Sequence, residues 1–461
     1  MLENDTIAAI STPLGEGGIG IVRLSGPDAY ATVDRIFACR KSKYTSYPEP
    51  RRLYYGSIQD HKGTPIDEVL VSFMPAPYTY TREDVVEINC HSGIFALRAI
   101  LKLVLDSGAR LAEPGEFTKR AFIHGRIDLS QAEAVLGMIR ARSEEAVKAA
   151  ALTLQGELTQ KIEQIREKII EVRAPIEASI DYPEEFTQDD AASNALPESL
   201  EELKAAVSYL LQGVDRNRAY HEGVTVAIIG RANVGKSSLL NALLRQQRAI
   251  VHEEPGTTRD LLEGYLNLGG YPIRLVDTAG IQGTADPVEL AGIERSRTAA
   301  AQAKMLIAVF DGSAAWTEMD QEIAALRQAE QGRVVVINKK DLEQKLSPET
   351  IEKIFPGEEI VKTAAIREDG IQQLEEAVTR QLDLFLGPEA ENTTVFLLRH
   401  EEILREALVS IENAIEAISN QPVELVSLEL QNAWQKLGEI TGETLSESLL
   451  DKIFSEFCLG K

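Results

Sequence analysis

The stretch that most constrains this chain of 461 residues is GRANVGKS at 230–237, which has the spacing G-x-x-x-x-G-K-[ST] of a phosphate-binding loop. The apolar run VTVAIIG precedes it and the helical run SSLLNALLR follows it, so the loop joins a predicted strand to a predicted helix. In that setting, backbone amides of the loop and the helix N-terminus surround phosphate groups. We expect Lys236 to reach the β- and γ-phosphates of a nucleotide and Ser237 to bind Mg²⁺. The loop residues expected to contact the nucleotide are Asn233, Val234, Gly235, Lys236, Ser237 and Ser238.

Two later segments predict how the phosphates and the metal are enclosed. VDTAG at 276–280 ends a predicted strand, so Asp277 can hold Mg²⁺ through water. PGTTRD at 255–260 lies between the two motifs, where a switch threonine closes over Mg²⁺, and we favour Thr258 over Thr257 for that role. The nucleotide contacts expected from these segments are Thr257, Thr258, Asp277, Thr278, Ala279 and Gly280.

The motif NKKD at 338–341 predicts which base is bound. Asp341 can accept paired hydrogen bonds from N1–H and the 2-amino group of guanine, a donor pair that adenine lacks. Asn338 and Lys339 are expected to contact the nucleotide as well, and TAA at 363–365 can contact the base through a backbone amide. Together the motifs predict a GTPase, a hydrolase that acts on GTP with Mg²⁺ as cofactor.

One position lacks the usual catalytic group. In many GTPases a glutamine directly after DTAG orients the attacking water, but here that position is Ile281. The side-chain carbonyl of Asn233 would lie beside the phosphates, where it could ligate K⁺ in place of an arginine finger. We therefore hypothesise activation by potassium, and an arginine finger from Arg231 or Arg259 is the alternative.

The whole chain falls into four segments by residue pattern. Residues 1–124 mix short alternating runs with Gly and Pro turns, which is typical of an α+β domain. Residues 125–219 and 385–461 carry apolar residues at helical spacing, and residues 220–384 alternate buried strands with helices. The predicted fold class is multidomain α+β and α/β: an N-terminal α+β domain and a discontinuous all-helical domain, interrupted by an inserted Ras-like P-loop GTPase domain.

Composition limits the kinds of partner and location. The net charge of −24 argues against a general polyanion binder, and no apolar run approaches the roughly 20 residues needed to span a bilayer. Three widely spaced cysteines, Cys39, Cys90 and Cys458, do not suggest a disulfide framework. These features predict a cytoplasmic protein without a membrane partner.

Blocks outside the nucleotide motifs carry a resemblance to a known family. They are DTIAAISTPLGEGGIGIVRLSG at 5–26, EDVVEINCHSG at 83–93, PGEFTKRAFIHGRIDLSQAEAV at 114–135 and the terminal FCLGK. With these blocks the whole chain resembles the bacterial tRNA-modification GTPases called MnmE or TrmE.

The resemblance implies a specific biochemical role. The N-terminal domain would bind a tetrahydrofolate, as the 5,10-methylene or 5-formyl derivative, and would form a homodimer. With the flavoprotein MnmG, as a heterotetramer, the family adds an aminomethyl or carboxymethylaminomethyl group to C5 of the wobble uridine of certain tRNAs. The family's GTPase depends on potassium and is activated when two G domains meet across the dimer.

The resemblance also implies individual site residues. The folate-binding positions fall on Arg23, Glu87, Arg126 and Lys461, with Arg126 standing where the family motif has a lysine. The K⁺ ligands would be the side chain of Asn233 and the carbonyls of His252, Glu254 and Thr257, and His252 would also contact the nucleotide. The family's catalytic glutamate falls on Glu289, so the expected catalytic residues are Glu289, Lys236 and Thr258. Cys458 matches the family's terminal cysteine, with a redox role and a partly buried passive thiol both open.

The alternative function is a ribosome-assembly or RNA-binding GTPase without folate chemistry, since such proteins share the Asn-containing loop. They usually carry an RNA-binding module beside the G domain, and the sequence shows no GxxG clamp or basic helix of that kind. A third reading is a GTPase that only scaffolds a partner. Binding of tetrahydrofolate would separate the first reading from both others.

Overall fold

The computed structural model describes residues 5–40, 49–182, 195–246, 265–276, 297–326, 331–387, 394–395, 397–445 and 447–461. It divides into two compact units. Unit 1 consists of Met1–Leu136, Leu154–Glu163 and Gln435–Lys461, and unit 2 consists of Gly137–Thr153 and Gln164–Trp434.

The N-terminal part of unit 1 is built on a seven-stranded sheet with the order β3-β4-β5-β6-β2-β1-β7. Every pairing is antiparallel except that of β1 with β7. The strands are β1 (Ile7–Ile10), β2 (Gly20–Ser25), β3 (Phe37–Cys39), β4 (Leu53–Gln59), β5 (Pro65–Met74), β6 (Val85–Cys90) and β7 (Arg110–Leu111).

Three helices accompany this sheet: α1 (Ala29–Asp34), α2 (Ile94–Asp106) and α3 (Glu116–Ile123). The alternation of side chains along β1 and β2 sends Ala8, Val22 and Leu24 into one core, which they share with Leu97 and Ile100 of α2. The opposite face of β1 packs Ile7 and Ala9 against Phe117 of α3. This second face becomes important below because Arg23 and Glu87 lie on it.

In the described chain, the elements from residue 129 to residue 222 and from residue 398 onward are helices. The first group is α4 (Leu129–Arg140), α5 (Glu144–Leu154), α6 (Glu157–Asp181), α7 (Ala195–Leu211) and α8 (Val214–Glu222). The second group, near the C-terminus, is α13 (Leu398–Asn420), α14 (Val423–Thr441) and α15 (Glu447–Ser455). Helices α7 and α13 pack against each other within unit 2, so segments from both groups share one helical core.

Between the two helical groups, unit 2 contains a six-stranded sheet with the order β13-β12-β11-β8-β10-β9. Its strands are β8 (Val224–Ile229), β9 (Tyr265–Leu268), β10 (Tyr271–Val276), β11 (Met305–Asp311), β12 (Gly332–Asn338) and β13 (Glu359–Lys362). Its helices are α9 (Lys236–Gln246), α10 (Glu318–Ala324), α11 (Pro348–Ile354) and α12 (Ile371–Leu386). Apolar cores cover both faces, as expected for strands that read as continuous hydrophobic runs.

One strand departs from the predicted parallel arrangement. Strand β9 runs antiparallel to β10, while the other neighbouring strands are parallel. The cause is local: Gly269 and Gly270 have φ values of 59° and 90° and close a two-residue hairpin between the strands. The predicted fold class is confirmed, with an α+β N-terminal part, helices on both sides of the insertion and a mainly parallel α/β sheet. In the described part of the chain, no helix is long and apolar enough to cross a membrane.

Candidate nucleotide site and a charged face on the N-terminal sheet

The phosphate loop lies at the carboxyl end of β8, where ligands bind in open α/β sheets. Val234 is fully buried in the core below the loop, whereas Asn233 is exposed. The backbone of Asn233 is left-handed, with φ of 64°, which asparagine tolerates better than most residues. Gly235 has φ of 102°, and a Cβ atom there would lie 2.2 Å from Nδ2 of Asn338. The loop therefore needs a glycine at this position to pack against the base-recognition motif.

The ammonium group of Lys236 lies inside the loop. Its Nζ donates to the carbonyl oxygens of Gly230 and Arg231, both at 2.8 Å. Burial lowers the pKa of Lys236. No carboxylate of the described residues pairs with this lysine, so its charge is available to an anionic ligand.

Asn338 joins three segments that surround the base site. It is buried, and its Nδ2 donates to the Val234 carbonyl at 2.8 Å. Its Oδ1 accepts from the Thr363 hydroxyl at 3.0 Å and from the Ala365 amide at 3.1 Å. The phosphate loop, NKKD and TAA motifs predicted from the sequence are thus held together by one side chain.

The other three polar residues of NKKD contact charged neighbours, and Lys340 pairs with Asp369 at 2.8 Å. Lys339 pairs with Asp311 at 2.7 Å. Burial opposes the charge on Asp311, but hydrogen bonds from Lys339 and Ser313 outweigh burial and lower the pKa of this carboxyl group. Asp341, the predicted guanine acceptor, lies 3.4 Å from Nε of Arg367.

Many of the predicted nucleotide and metal residues fall outside the described residues. These are His252, Glu254, Thr257, Thr258, Arg259, Asp277, Thr278, Ala279, Gly280, Ile281 and Glu289. Their predicted roles stay predictions, as do those of Ser237 and Ser238, which lie in the first turn of α9.

On the N-terminal sheet, Arg23 and Glu87 face each other across neighbouring strands. Strands β2 and β6 pair with Arg23 opposite Glu87. Both contacts reach one carboxylate oxygen, Oε1, with Nη2 at 2.8 Å and Nε at 2.9 Å. The guanidinium group also lies 5.8 Å from the centre of the Phe117 ring. Within the described residues Oε2 of Glu87 accepts no hydrogen bond, so one oxygen of an oriented carboxyl group remains open.

Arg126 is supported separately, on an aromatic ring. Its guanidinium group lies 4.7 Å from the centre of the Tyr80 ring, and the Tyr80 hydroxyl lies 3.0 Å from Oγ1 of Thr118. The preceding turn is fixed because Arg82 donates to the His124 carbonyl at 2.7 Å. Arginine stacks on aromatic rings more readily than lysine, which accounts for an arginine at this position.

The C-terminus packs against the same sheet. Gly460 has φ of 90°, and a Cβ atom there would lie 2.3 Å from the Ile10 carbonyl oxygen at the end of β1. This contact fixes the backbone beside Lys461. Cys458 is exposed, so the alternative of a partly buried passive thiol is wrong. The backbone carbonyl of Cys458 accepts a hydrogen bond from the Gly115 amide at 3.4 Å.

A buried charge network in unit 1 was missed from the sequence. Arg120 is 1% exposed and pairs with Asp5 at 2.6 Å, Glu83 at 3.0 Å and Glu116 at 2.9 Å. Arg110 pairs with Asp5 and Glu116, both at 2.7 Å. Because all three carboxylates are engaged by arginine, this network connects distant segments of unit 1 and is not a candidate ligand site.

The structure therefore joins some predicted residues and leaves others apart. Arg23 contacts Glu87, and Asn338 contacts the phosphate loop, whereas Arg126 and Lys461 rest on separate supports within unit 1. The supporting residues Phe117, Tyr80, Thr118 and Asp311 were not singled out from the sequence, because no motif spacing connects them to the residues that they hold.

Comparison with known proteins assigns the family. The family description "MnmE helical domain" matches residues 129–458, more than half of the chain, and "GTP-binding protein TrmE N-terminus" matches residues 6–126. The tRNA modification GTPase MnmE of Geobacillus thermodenitrificans is 46% identical over 466 residues, covering 100% of both chains. The protein of the same name from Bacillus subtilis is 44% identical over 461 residues, covering 99% of this chain and 100% of the relative.

Two solved structures are similar to parts of this chain. The G domain of the T. maritima FeoB iron transporter is 25% identical with a TM-score of 0.26, covering 35% of this chain and 99% of that one. Era in complex with MgGDPNP and a 16S ribosomal RNA segment is 27% identical with a TM-score of 0.27, covering 41% of this chain and 66% of that one. The assignment rests on the full-length sequence relatives: the chain belongs to the MnmE family of tRNA modification GTPases, hydrolases acting on GTP.

Proposed function

We propose that this GTPase works with the flavoprotein MnmG to add an aminomethyl or carboxymethylaminomethyl group to C5 of the wobble uridine of certain tRNAs. The carbon would come from a tetrahydrofolate one-carbon donor bound by the N-terminal domain. The names of the full-length relatives, which are tRNA modification GTPases, support the tRNA part of the proposal.

The observation that carries the folate part is the open oxygen of Glu87. A pterin ring presents paired N–H groups like those of guanine, and a carboxylate accepts such a pair. Arg23 orients Glu87 through Oε1 and leaves Oε2 without a partner among the described residues, in a side chain that is 24% exposed. Arg126 and Lys461 make no ion pair with the described residues, so either cation can meet the negative carboxylates of a folate.

At the nucleotide site, each residue has a separate role. Lys236 moves its donors from the loop carbonyls to the β- and γ-phosphates, while Ser237 and Thr258 hold Mg²⁺. Asp341 accepts from guanine, and Glu289 positions the attacking water. Mg²⁺ supplies charge stabilisation at the phosphates when it is bound.

We further propose that K⁺ activates hydrolysis, with Asn233 and the carbonyls of His252, Glu254 and Thr257 as its ligands. The exposed Asn233 side chain, which bonds to no described residue, supports this role. GTP turnover in potassium chloride should greatly exceed turnover in sodium chloride at equal ionic strength, and Asn233→Ala should remove the difference. Equal rates in the two salts would overturn the potassium proposal and leave Arg259 as the finger to test.

The homodimer is proposed through the N-terminal sheet. Tyr55 and Leu70 are paired across β4 and β5 and are 44% and 41% exposed, and Leu53 on the same face is 56% exposed. A second copy of the chain would cover this apolar face. Leu70→Lys should shift the mass measured by light scattering toward the monomer, whereas Val409→Glu, at an exposed position on α13, should not.

The domain limits 1–124, 125–219, 220–384 and 385–461 are part of the same proposal. The first would be the tetrahydrofolate-binding and dimerisation domain, the third the GTPase domain, and the other two the halves of the helical domain. A cytoplasmic location is supported by the three cysteines, which are all free thiols.

The composite function is tested in cells that lack their own copy of this enzyme. Expression of the chain should restore the C5 substituent of the wobble uridine, measured by mass spectrometry of tRNA nucleosides. Glu87→Gln and Lys236→Ala should each fail to restore it, while Asp106→Asn, which changes an exposed carboxylate at the end of α2, should succeed. Full restoration by Glu87→Gln would refute the folate role.

A further inference from the structure

Arg231, the second residue of the phosphate loop, makes a contact that the nucleotide motifs do not explain. Its Nε donates to Oδ1 of Asp320 at 3.1 Å. The two side chains are 23% and 4% exposed, so the pair is mostly shielded from water. The side chain of Arg231 is thus directed to α10, and its backbone carbonyl accepts a hydrogen bond from Lys236.

Asp320 is a firm attachment point because its other oxygen is also engaged. Oδ2 accepts from the Thr317 amide at 3.1 Å and from the Thr317 hydroxyl at 2.7 Å. In return the Asp320 amide donates to Thr317 Oγ1 at 3.2 Å, which completes a capping box at the start of α10. One carboxylate therefore fixes both the helix start and the arginine.

The helix that carries Asp320 is itself held on the sheet. Ile323 is buried in the same apolar core as Ile229, the last residue before the phosphate loop. Trp316, just before α10, lies 5.0 Å from the ring of Phe310 and 6.0 Å from that of Phe355. Because α10 is packed in this way, the Arg231 side chain is tied to a rigid part of unit 2.

We propose that Arg231 is a positioning residue for the nucleotide site, acting through Asp320. The ion pair sets the orientation of the backbone at Gly230 and Arg231, whose carbonyls hold the ammonium group of Lys236 at 2.8 Å. With that segment fixed, Lys236 and the loop amides are already arranged when the phosphates arrive, so less ordering is needed on binding. The contribution of Arg231 is present when the nucleotide is bound as well as during hydrolysis. Arg231 is therefore not an arginine finger, which would act during hydrolysis alone.

The test uses the intact chain with Arg231→Ala, Asp320→Asn and the double variant. Asparagine keeps an oxygen that can accept from Thr317, so the cap of α10 survives while the ion pair is lost. We expect each single variant to weaken GDP binding and raise KM for GTP by about 5- to 20-fold, with kcat changed less than about threefold. The double variant should be no weaker than the single variants, because both remove the same contact.

An exposed ion pair with one member on α10 serves as the control. Arg297 and Glu322 form an exposed ion pair at 3.4 Å, with side chains 59% and 50% exposed. Glu322→Ala should leave GDP affinity, KM and kcat unchanged, since exposed pairs contribute little.

Three results would overturn the proposal. If Arg231→Ala lowers kcat by about 10³-fold while GDP binding and the Asp320→Asn variant are unaffected, Arg231 is a finger. If both variants lower Tm but the folded protein binds GDP normally, the pair only stabilises the fold. If the losses in GDP affinity add in the double variant, the two residues act separately.

Discussion

In unit 1 the buried charge of Arg120 is balanced by three carboxylates, two of them from distant parts of the chain, whereas in unit 2 Lys236 contacts two carbonyl oxygens of its own loop. Removing Arg120 leaves Glu83 without an arginine and leaves Arg110 as the one remaining arginine partner of Asp5 and Glu116, which is costly. Removing Lys236 leaves only two backbone carbonyl groups, which carry no net charge. The comparison suggests that charge paired with charge supports folding, while charge held by backbone is kept available for a ligand. The Arg23–Glu87 pair shares features of both cases: the two side chains contact each other, but Oε2 of Glu87 has no partner among the described residues.

The largest expected effect is on stability in unit 1. Arg120→Ala should lower the free energy of unfolding by about 3–5 kcal/mol, because Asp5, Glu83 and Glu116 lose their shared partner. Chemical denaturation followed by circular dichroism measures the change. Arg98→Ala, at an exposed position on α2, is the matched control and should change stability by less than about 0.5 kcal/mol. If Lys236→Ala lowered the free energy of unfolding as much as Arg120→Ala, the contrast between the two buried cations would be wrong.

The second effect is on catalysis in unit 2. Lys236→Ala should reduce GTP turnover by about 10²–10³-fold, because the charge that stabilises the developing phosphate charge is removed. Phosphate release measures the rate, and thermal unfolding should show little change. Lys304→Ala removes an exposed lysine from the same unit and should leave turnover unaltered. Turnover within tenfold of the unaltered protein would show that Lys236 is not the phosphate ligand.

The response to acid should also differ between the units. Burial lowers the pKa of His221, on α8 of unit 2, from 6.5 to about 4. As the pH falls, the unfolded state takes up a proton at a higher pH than the folded state does. The free energy of unfolding should therefore be highest above pH 6.5 and fall by about 3 kcal/mol as the pH drops toward 4.

In unit 1, burial opposes ionisation of Asp5 and Glu116, but the arginine hydrogen bonds lower both pKa values below 3.8 and 4.5. Their contribution is present above those values and is lost only at lower pH.

Denaturant titrations between pH 8 and pH 3 measure this difference. His221→Gln should flatten the dependence between pH 6.5 and pH 4, whatever its effect on stability at pH 8. His61→Gln, which removes an exposed histidine of unit 1, should leave the slope unchanged. An unaltered slope in His221→Gln would show that another group takes up the proton.

The smallest expected effect concerns base selection. Asp341→Asn presents one donor and one acceptor to the base, so KM for GTP should rise about 10- to 100-fold while xanthosine triphosphate becomes the better substrate. Steady-state hydrolysis of both nucleotides measures the change. Asp369→Asn, which alters an exposed carboxylate paired with Lys340, should keep the preference for GTP. Unchanged preference in Asp341→Asn would place guanine recognition elsewhere.

The contrast between the units also explains what the sequence could predict. The phosphate loop is contiguous and its chemistry comes from the backbone, so the spacing of Gly230, Gly235 and Lys236 was enough to locate it. The fold class followed from the periodicity of the helices and the continuous apolar strands. The antiparallel β9 was missed, although the Gly269–Gly270 turn was a readable signal.

The side chains that support the site residues could not be predicted from motif spacing. Glu87 lies opposite Arg23 only because of strand register, and Phe117 reaches Arg23 from a helix some ninety residues away in the chain. Asp320 left a weak signal, the capping-box pattern Thr317-x-x-Asp320, but nothing in that pattern indicates that the carboxylate reaches Arg231. Contacts between segments distant in sequence depend on tertiary packing, which a single sequence does not reveal.

The central claim is that one chain carries a folate site in unit 1 that is independent of the nucleotide site in unit 2. Measuring folate binding tests this claim most directly. Calorimetric titration of 5-formyltetrahydrofolate into the intact protein should show saturable binding. Glu87→Gln should weaken that binding by tenfold or more, and Lys236→Ala should leave it unchanged. Absence of binding to the unaltered protein, or equal binding by Glu87→Gln, would contradict the account.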